Sequence, residues 1–179
     1  MDNIVIDSSS ESDSDFSNES GGHSEREEEI YESENFMNHV SKKEYEANRN
    51  KIFTKDYDFK DYDRAANIYW PGNKIGLGRE DIISFWRSLK NILSEIRFKV
   101  EHVGYLDEPN KNPRASVRWS LEGIHSGDGE MYGKKTNSNL YFMGINHAEL
   151  NSYGVIREWV LFDEVAIWKQ ILMNKNKNG

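Results

Sequence analysis

The chain of 179 residues has no cysteine. That excludes disulfide staples and thiolate metal ligands, and it is compatible with a reducing compartment. No basic stretch followed by an apolar one opens the sequence, so no secretory signal is read there. No apolar run approaches the ~20 residues needed to cross a bilayer. A basic stripe or cluster of the kind a nucleic-acid surface carries is also missing. Together these absences lead to the expectation of a soluble, cytoplasmic protein that engages neither membrane nor nucleic acid.

What is present is unevenly spread. Residues 1–36 hold 12 of the 31 acidic residues and one basic residue, Arg26. The remainder keeps 22 of the 23 basic residues and 19 acidic ones, close to balance, so the overall charge of −8 belongs to the tail. The run SSSESDSDFSNESGGHSEREEEIYESEN is polar and acidic. It cannot bury enough apolar surface to offset its ordering entropy, and disorder is expected over 1–36. Ser8, Ser10 and Ser12 stand beside acids, which makes phosphorylation conceivable; a solvating tail is the plainer reading. One domain is expected over 37–173, then a polar tail over 174–179. Five Trp, nine Tyr and eight Phe supply either a core or a cavity lining.

Residues 37–69 read as short helices and turns, broken by Pro71 and Gly72. The clearest helix follows: Ile82, Phe85, Trp86, Leu89, Ile92, Leu93 and Ile96 recur at spacings of three and four. Glu80 and Asp81 occupy its first turn, where negative charge suits the free amides. Trp86 then faces a sheet as a packing residue or as a pocket floor. Beyond this helix the period falls to two. RFKVEHVGYL and RASVRWSLEGIH alternate, the latter with Val117, Trp119 and Leu121 on one face and Arg118, Ser120 and Glu122 on the other. SNLYFMGINHAEL and GVIREWVLF are two more strands joined by a short turn at Asn151–Gly154. Helices followed by antiparallel strands indicate an α+β domain with a curved sheet.

Two readings of Asp163 stand side by side. The run WVLFDEV either ends at that residue, which then caps a short last helix, EVAIWKQIL, or shelters a carboxylate in an apolar hollow. Alternation puts Trp159, Leu161 and Asp163 on one face, and Tyr141, Met143, Ile145 and His147 on one face of the preceding strand. If those faces are concave, Asp163 and His147 share a hollow lined by Tyr141, Met143, Trp119 and Trp159. Burial would raise such a carboxylate towards working pH and make it a proton acceptor, with the imidazole beside it. His125, at the end of the Trp119 strand, is a pocket-mouth residue or merely a strand end. His125 and His147 lack the further ligands a metal site needs, so none is expected. GDGEMYGKKTN has neither the hydroxyl after its lysine nor the strand–loop–helix setting of a phosphate loop.

The order GREDIISFWRSL, VRWSLEGIHSGDG, MGINHAEL and GVIREWVLFDEVAIWKQI resembles the SnoaL-like polyketide cyclase and ester cyclase family of the nuclear transport factor 2-like superfamily. The resemblance spans roughly 40–172 and is strongest over 114–171. It rests on W-x-L-x-G-x-H-x-G at Trp119–Gly127 and G-x-I-x-E-W-x-x-x-D at Gly154–Asp163. It implies a cone-shaped curved antiparallel sheet wrapped round N-terminal helices, enclosing a pocket. It also implies an acid on the last strand as proton acceptor in ring closure without a cofactor, matching Asp163, with a neighbouring histidine matching His147. Lys135-Thr136-Asn137 departs from the family's Pro-Thr-Gly turn. Two functions follow as expectations. One is a cyclase or isomerase acting on a hydrophobic or aromatic molecule, with Asp163 and His147 as catalytic residues. Its ligand would lie against Trp119, Tyr141, Trp159, His125, Trp86 and Met143. The other is a non-catalytic ligand-binding or interaction module of the same fold. A homodimer through the outer sheet face is expected on the view that Val160 and Phe162 are exposed there.

Overall fold

A computed structural model describes residues 40–129 and 131–175. The acidic tail expected over 1–36, and most of the polar end, lie outside the described residues. Helix α1 (Lys42–Arg49) starts on Ser41, whose Oγ accepts from the Glu44 amide at 3.2 Å. Ser41-x-x-Glu44 is the spacing of a capping box. Strands β1 (Tyr62–Trp70) and β2 (Lys74–Leu77) form a hairpin, followed by helix α2 (Arg79–Asn91). Strands β3 (Leu93–Leu106), β4 (Arg114–His125), β5 (Asn139–Asn151) and β6 (Gly154–Phe162) precede helix α3 (Glu164–Lys175).

The six strands form one open sheet in the order β2-β1-β6-β5-β4-β3. β3 to β6 are antiparallel neighbours, as alternation indicated, while β1 joins β6 in parallel and makes the sheet mixed. Residues 62–70 are therefore a strand rather than the helices and turns expected of that region. Tyr62, Ala66, Ile68 and Trp70 turn inward from it and are buried. The join is made at Gly154, whose φ is +122° and whose absent Cβ would lie 2.1 Å from the Asp61 carbonyl oxygen. That carbonyl accepts from the Val155 amide at 2.8 Å. No residue with a side chain fits so close an approach without displacement.

Helix α2 buries Ile82, Trp86 and Leu89, as its apolar stripe requires. It stops at Asn91, short of the helical register that Ile92, Leu93 and Ile96 would have continued. The Ile92 carbonyl accepts from the amides of Ser126 and Gly127 at 3.1 and 3.2 Å, so the end of β4 pins the chain there and sends it into β3. Helices and the inner sheet face enclose one core. Trp70, Trp86, Trp119, Phe59 and Phe142 are its largest apolar members, with Phe53, Phe98 and Phe162 packed against it.

Candidate functional site

The inner wall of the cone is built on Trp119. In register, Trp119 of β4 faces Gly144 of β5, so the inward row of β5 is Phe142, Gly144, Asn146 and Ala148. The indole packs edge-on to Trp86 and Phe162, each at 6.2 Å between centroids, and against Phe98 at 5.8 Å. Trp70 meets Trp86 edge-on at 4.9 Å and Phe162 at 5.4 Å. These rings fill the space that the cone encloses.

A polar chain runs outward from Trp119. Its Nε1–H donates to Asn146 Oδ1 at 2.7 Å, and Asn146 Nδ2 donates to Glu158 Oε1 at 2.8 Å. Tyr62 donates its hydroxyl to Glu158 Oε2 at 2.6 Å, while the Arg49 guanidinium stands 3.5 Å from Oε1. Arg49 also pairs with Asp61 and donates to the hydroxyls of Tyr62 and Tyr57, the latter at 2.7 Å. The rings of Tyr62 and Tyr45 lie 4.7 and 5.3 Å from the guanidinium carbon. Glu158 is wholly buried and Arg49 almost so. Burial raises the Glu158 carboxyl above its ordinary range; Arg49, Tyr62 and Asn146 pull it back. One buried carboxylate and one part-buried one thus share a guanidinium, with phenols filling the remaining positions.

Among the described residues some buried polar atoms find no partner, including Trp70 Nε1, Trp86 Nε1, His125 Nε2 and the Tyr132 hydroxyl. His125 Nδ1 lies 3.1 Å from Thr136 Oγ1, which itself donates to Ser138 Oγ at 2.9 Å. With its proton given to Ser138, Thr136 accepts from Nδ1–H, which leaves Nε2 a bare acceptor. Burial pushes the His125 imidazole below its ordinary range, against the opposing pull of Asp128. Among the described residues no group of three or more His, Cys, Asp or Glu could hold a metal.

The structure separates the residues that the sequence grouped. Trp119, Trp86 and His125 point inward and are buried. Tyr141, Met143 and His147 lie on the outer face of β5 and are exposed, and half-buried Trp159 stands beside them on β6. Asp163 is exposed too, its Oδ1 accepting from the Ala166 amide at 2.9 Å as the N-cap of α3. Since Gly144 pairs with Phe162, Asp163 sits opposite Met143, four residues from His147 or about 13 Å along the strand. The hollow shared by Asp163 and His147 is not formed. Val160 and Phe162, expected on the outside, face the core. Sequence reasoning missed Glu158, Asn146 and Arg49. A glycine inside the strand F-M-G-I was the one local signal, since it marks close approach by another group.

The outer face has its own character. Tyr141, Met143, Ile145 and Leu161 are 46–67% exposed and adjacent, with Tyr69 stacked on Trp159 at 5.4 Å. Three pairs of charged neighbours close within the chain: Arg97–Glu122 and Arg118–Glu101 at 3.1 Å, Arg157–Glu149 at 2.7 Å. Among the described residues no helix is long and apolar enough to cross a membrane.

Neither family models nor curated proteins match this sequence. Solved structures do match the fold. A protein from Jannaschia sp. CCS1, described as a SnoaL-like polyketide cyclase, aligns with a TM-score of 0.58 at 15% identity, over 70% of this chain and 89% of its own. IdmH from Streptomyces antibioticus, described as a polyketide cyclase, gives 0.54 at 14% identity over 68% and 91%. AclR from Streptomyces galilaeus, described as a hydroxylase, gives 0.54 at 12% over 76% and 83%. Likeness at this identity is likeness of fold, and the differing descriptions illustrate how little a fold fixes the reaction.

Proposed function

We propose that this chain, with its SnoaL-like, nuclear transport factor 2-like fold, is a small-molecule-binding protein that does not use Asp163 for catalysis. The observation that carries the reading is the set of unpartnered buried polar atoms around the aromatic interior, foremost the indole N–H groups of Trp70 and Trp86. A buried donor without an acceptor costs about 1–3 kcal/mol, and a bound molecule that supplies the acceptor removes that penalty. Two indole donors, their rings 4.9 Å apart, call for a carbonyl oxygen, and the surrounding rings call for a flat aromatic body. Entry is through the cleft of about 580 Å³ lined by Ser88, Ile92, Met131 and Phe85, whose ring stacks on Trp70 at 5.6 Å. Because the rings behind it fill the cone, admission requires Phe85 and Trp70, stacked on each other, to part.

Binding is favoured over proton abstraction because neither acid is free for chemistry. Asp163 is committed to the α3 cap in solvent. Glu158 is sheltered, but its oxygens are occupied by Tyr62, Asn146 and Arg49. The test is a titration with 6-acetyl-2-naphthol, which carries a carbonyl and a hydroxyl on a flat frame. Saturable binding is expected, weakened about 2- to 10-fold in Trp70→Phe or Trp86→Phe, which keep a ring and lose the donor. No saturable binding to wild type, or equal affinity in all three proteins, overturns the reading.

The outer face supports a second element, assembly with an identical copy. Its centre is apolar and three flanking charge pairs are closed in cis, with Lys99 unpaired among the described residues two strands from Met143, so a copy of the same surface meets little unbalanced like charge. Ile145→Asp should yield a monomer by light scattering where wild type is a dimer; a monomeric wild type at micromolar concentration refutes it.

A further inference from the structure

We infer that the outer sheet face carries a second small-molecule site, a slot beside His147 that takes a flat aromatic carboxylate. It is separate from the interior and does not rest on the interior binding a ligand. One cross-strand row of the outer face runs Tyr69, Trp159, His147, Ser116 and Gly104 across β1, β6, β5, β4 and β3. Its first three members are rings set one after another, Tyr69 on Trp159 at 5.4 Å and Trp159 on His147 at 5.7 Å between centroids. Those distances are close to the spacing of neighbouring strands, about 4.8 Å, so each strand contributes one slab to a ladder. At Ser116 the ladder stops. A Cβ added at Gly104 would lie 2.7 Å from Ser116 Oγ, so the serine lies close over the glycine and neither position raises a ring beside His147.

The break in the ladder is a cleft of about 270 Å³ lined by His147, Ser116, Gly104, Leu106 and Arg114. Drug-sized ligands occupy about 300–1,000 Å³, so this volume suits one small ring system. A flat ring standing over Ser116 is one strand spacing from His147 and becomes the fourth slab. Arg114 supplies the polar end. Among the described residues its only side-chain partner is Glu108, which accepts from Nη2, so the Nε–H and Nη1 donors are left for a carboxylate. Glu108 is shared with Lys111 at 2.9 Å, and Glu149, beside Arg114 on β5, is paired with Arg157. A ligand carboxylate at Arg114 therefore meets no unpaired acid in either neighbour. The slot lies over β4 and β3, next to the apolar patch of β5 and β6 rather than in it.

The test is a titration with indole-3-carboxylate and with indole, followed by NMR through the His147 imidazole signal, which is assigned by its loss in His147→Ala. Indole-3-carboxylate should move that signal saturably, through the ring current of the stacked probe. Ser116→Phe sets a ring of the protein's own into the slot and should weaken the carboxylate by about tenfold or more. Arg114→Gln should weaken it about tenfold and leave indole as it is in wild type. Where Ser116→Phe does not fold, the His147 signal in wild type and the Arg114→Gln comparison decide. No saturable movement of the His147 signal in wild type, or unchanged affinity in a folded Ser116→Phe, overturns the site. Equal losses of both probes in Arg114→Gln overturn the carboxylate as its ligand. Ser116 and Arg114 stand on the outer face, so 6-acetyl-2-naphthol binding reports on the interior alone and separates failure of that reading from failure of this one.

Discussion

Removing Arg49 tests the charged cluster most directly. Arg49→Met keeps a buried stem of similar bulk and deletes the cation between Asp61 and Glu158. Breaking a buried pair by removing one partner costs about 3–5 kcal/mol. Here the figure belongs at the lower end. Asp61 is near the surface and keeps the Tyr57 hydroxyl, and Glu158 keeps donors at 2.6 and 2.8 Å from Tyr62 and Asn146. About 3 kcal/mol, taken from a stability of about 5–15 kcal/mol, lowers the melting temperature by about 10 °C. The loss must depend on pH. Burial already raises the Glu158 carboxyl, and losing Arg49 removes the largest influence holding it down. A carboxyl raised in the folded state favours folding fully below its unfolded value, near 4.3, and loses that contribution as pH rises through the folded value. The variant should therefore fall furthest behind wild type at pH 7–8 and recover part of the deficit at pH 5. Arg49→Met combined with Glu158→Gln should recover part of it at every pH. Thermal melts of the three proteins across pH 5–8 are the assay. A deficit below about 1 kcal/mol, or one identical at pH 5 and pH 8, refutes the assignment of this cluster as a net-charged tie between α1 and the sheet.

Asp163→Ala should cost about 1 kcal/mol through loss of the α3 cap, and Asp163→Asn much less, since asparagine caps as well. Neither should alter binding of 6-acetyl-2-naphthol, and a loss of binding in Asp163→Asn at unchanged melting temperature would restore a functional role to the acid. His125 is held neutral by burial, so its contribution to stability is present above about pH 6.5 and declines as pH falls from there towards its depressed folded value. Glu158 acts in the opposite sense, so the quantity to measure is the difference between wild type and His125→Gln. The variant should gain on wild type between pH 7 and pH 5, and a constant difference over that range would show that His125 does not gain a proton on unfolding.

Much of the architecture was legible because local pattern carries it. Helix α2 announces itself by its apolar stripe and acidic first turn. Strand β4 does so by Val117, Trp119 and Leu121 set against Arg118, Ser120 and Glu122. The hidden parts depend on partners distant in sequence. β1 carries the mixed pattern DYDRAANIYW and becomes a strand because β6 lies beside it in parallel. Helix α2 ends where the amides of Ser126 and Gly127 take the Ile92 carbonyl, an event the helical stripe itself does not register.

The sequence by itself determined which residues of β5 and β6 share a face, because side chains alternate with a period of two whatever surrounds them. It did not determine which face is inside. On β5 the outer set, Tyr141, Met143 and Ile145, is at least as apolar as the inner set of Phe142, Gly144 and Asn146, so composition points the wrong way. Tertiary structure decided it through register, by setting Trp119 over Gly144, and through Arg49 and Tyr62, which supply the bonds that allow Asn146 and Glu158 to be buried. A buried carboxylate needs its counter-charge and donors in place, and here they come from 96 and 109 positions earlier in the chain. Asp163, with no such partners, stays in water and caps a helix.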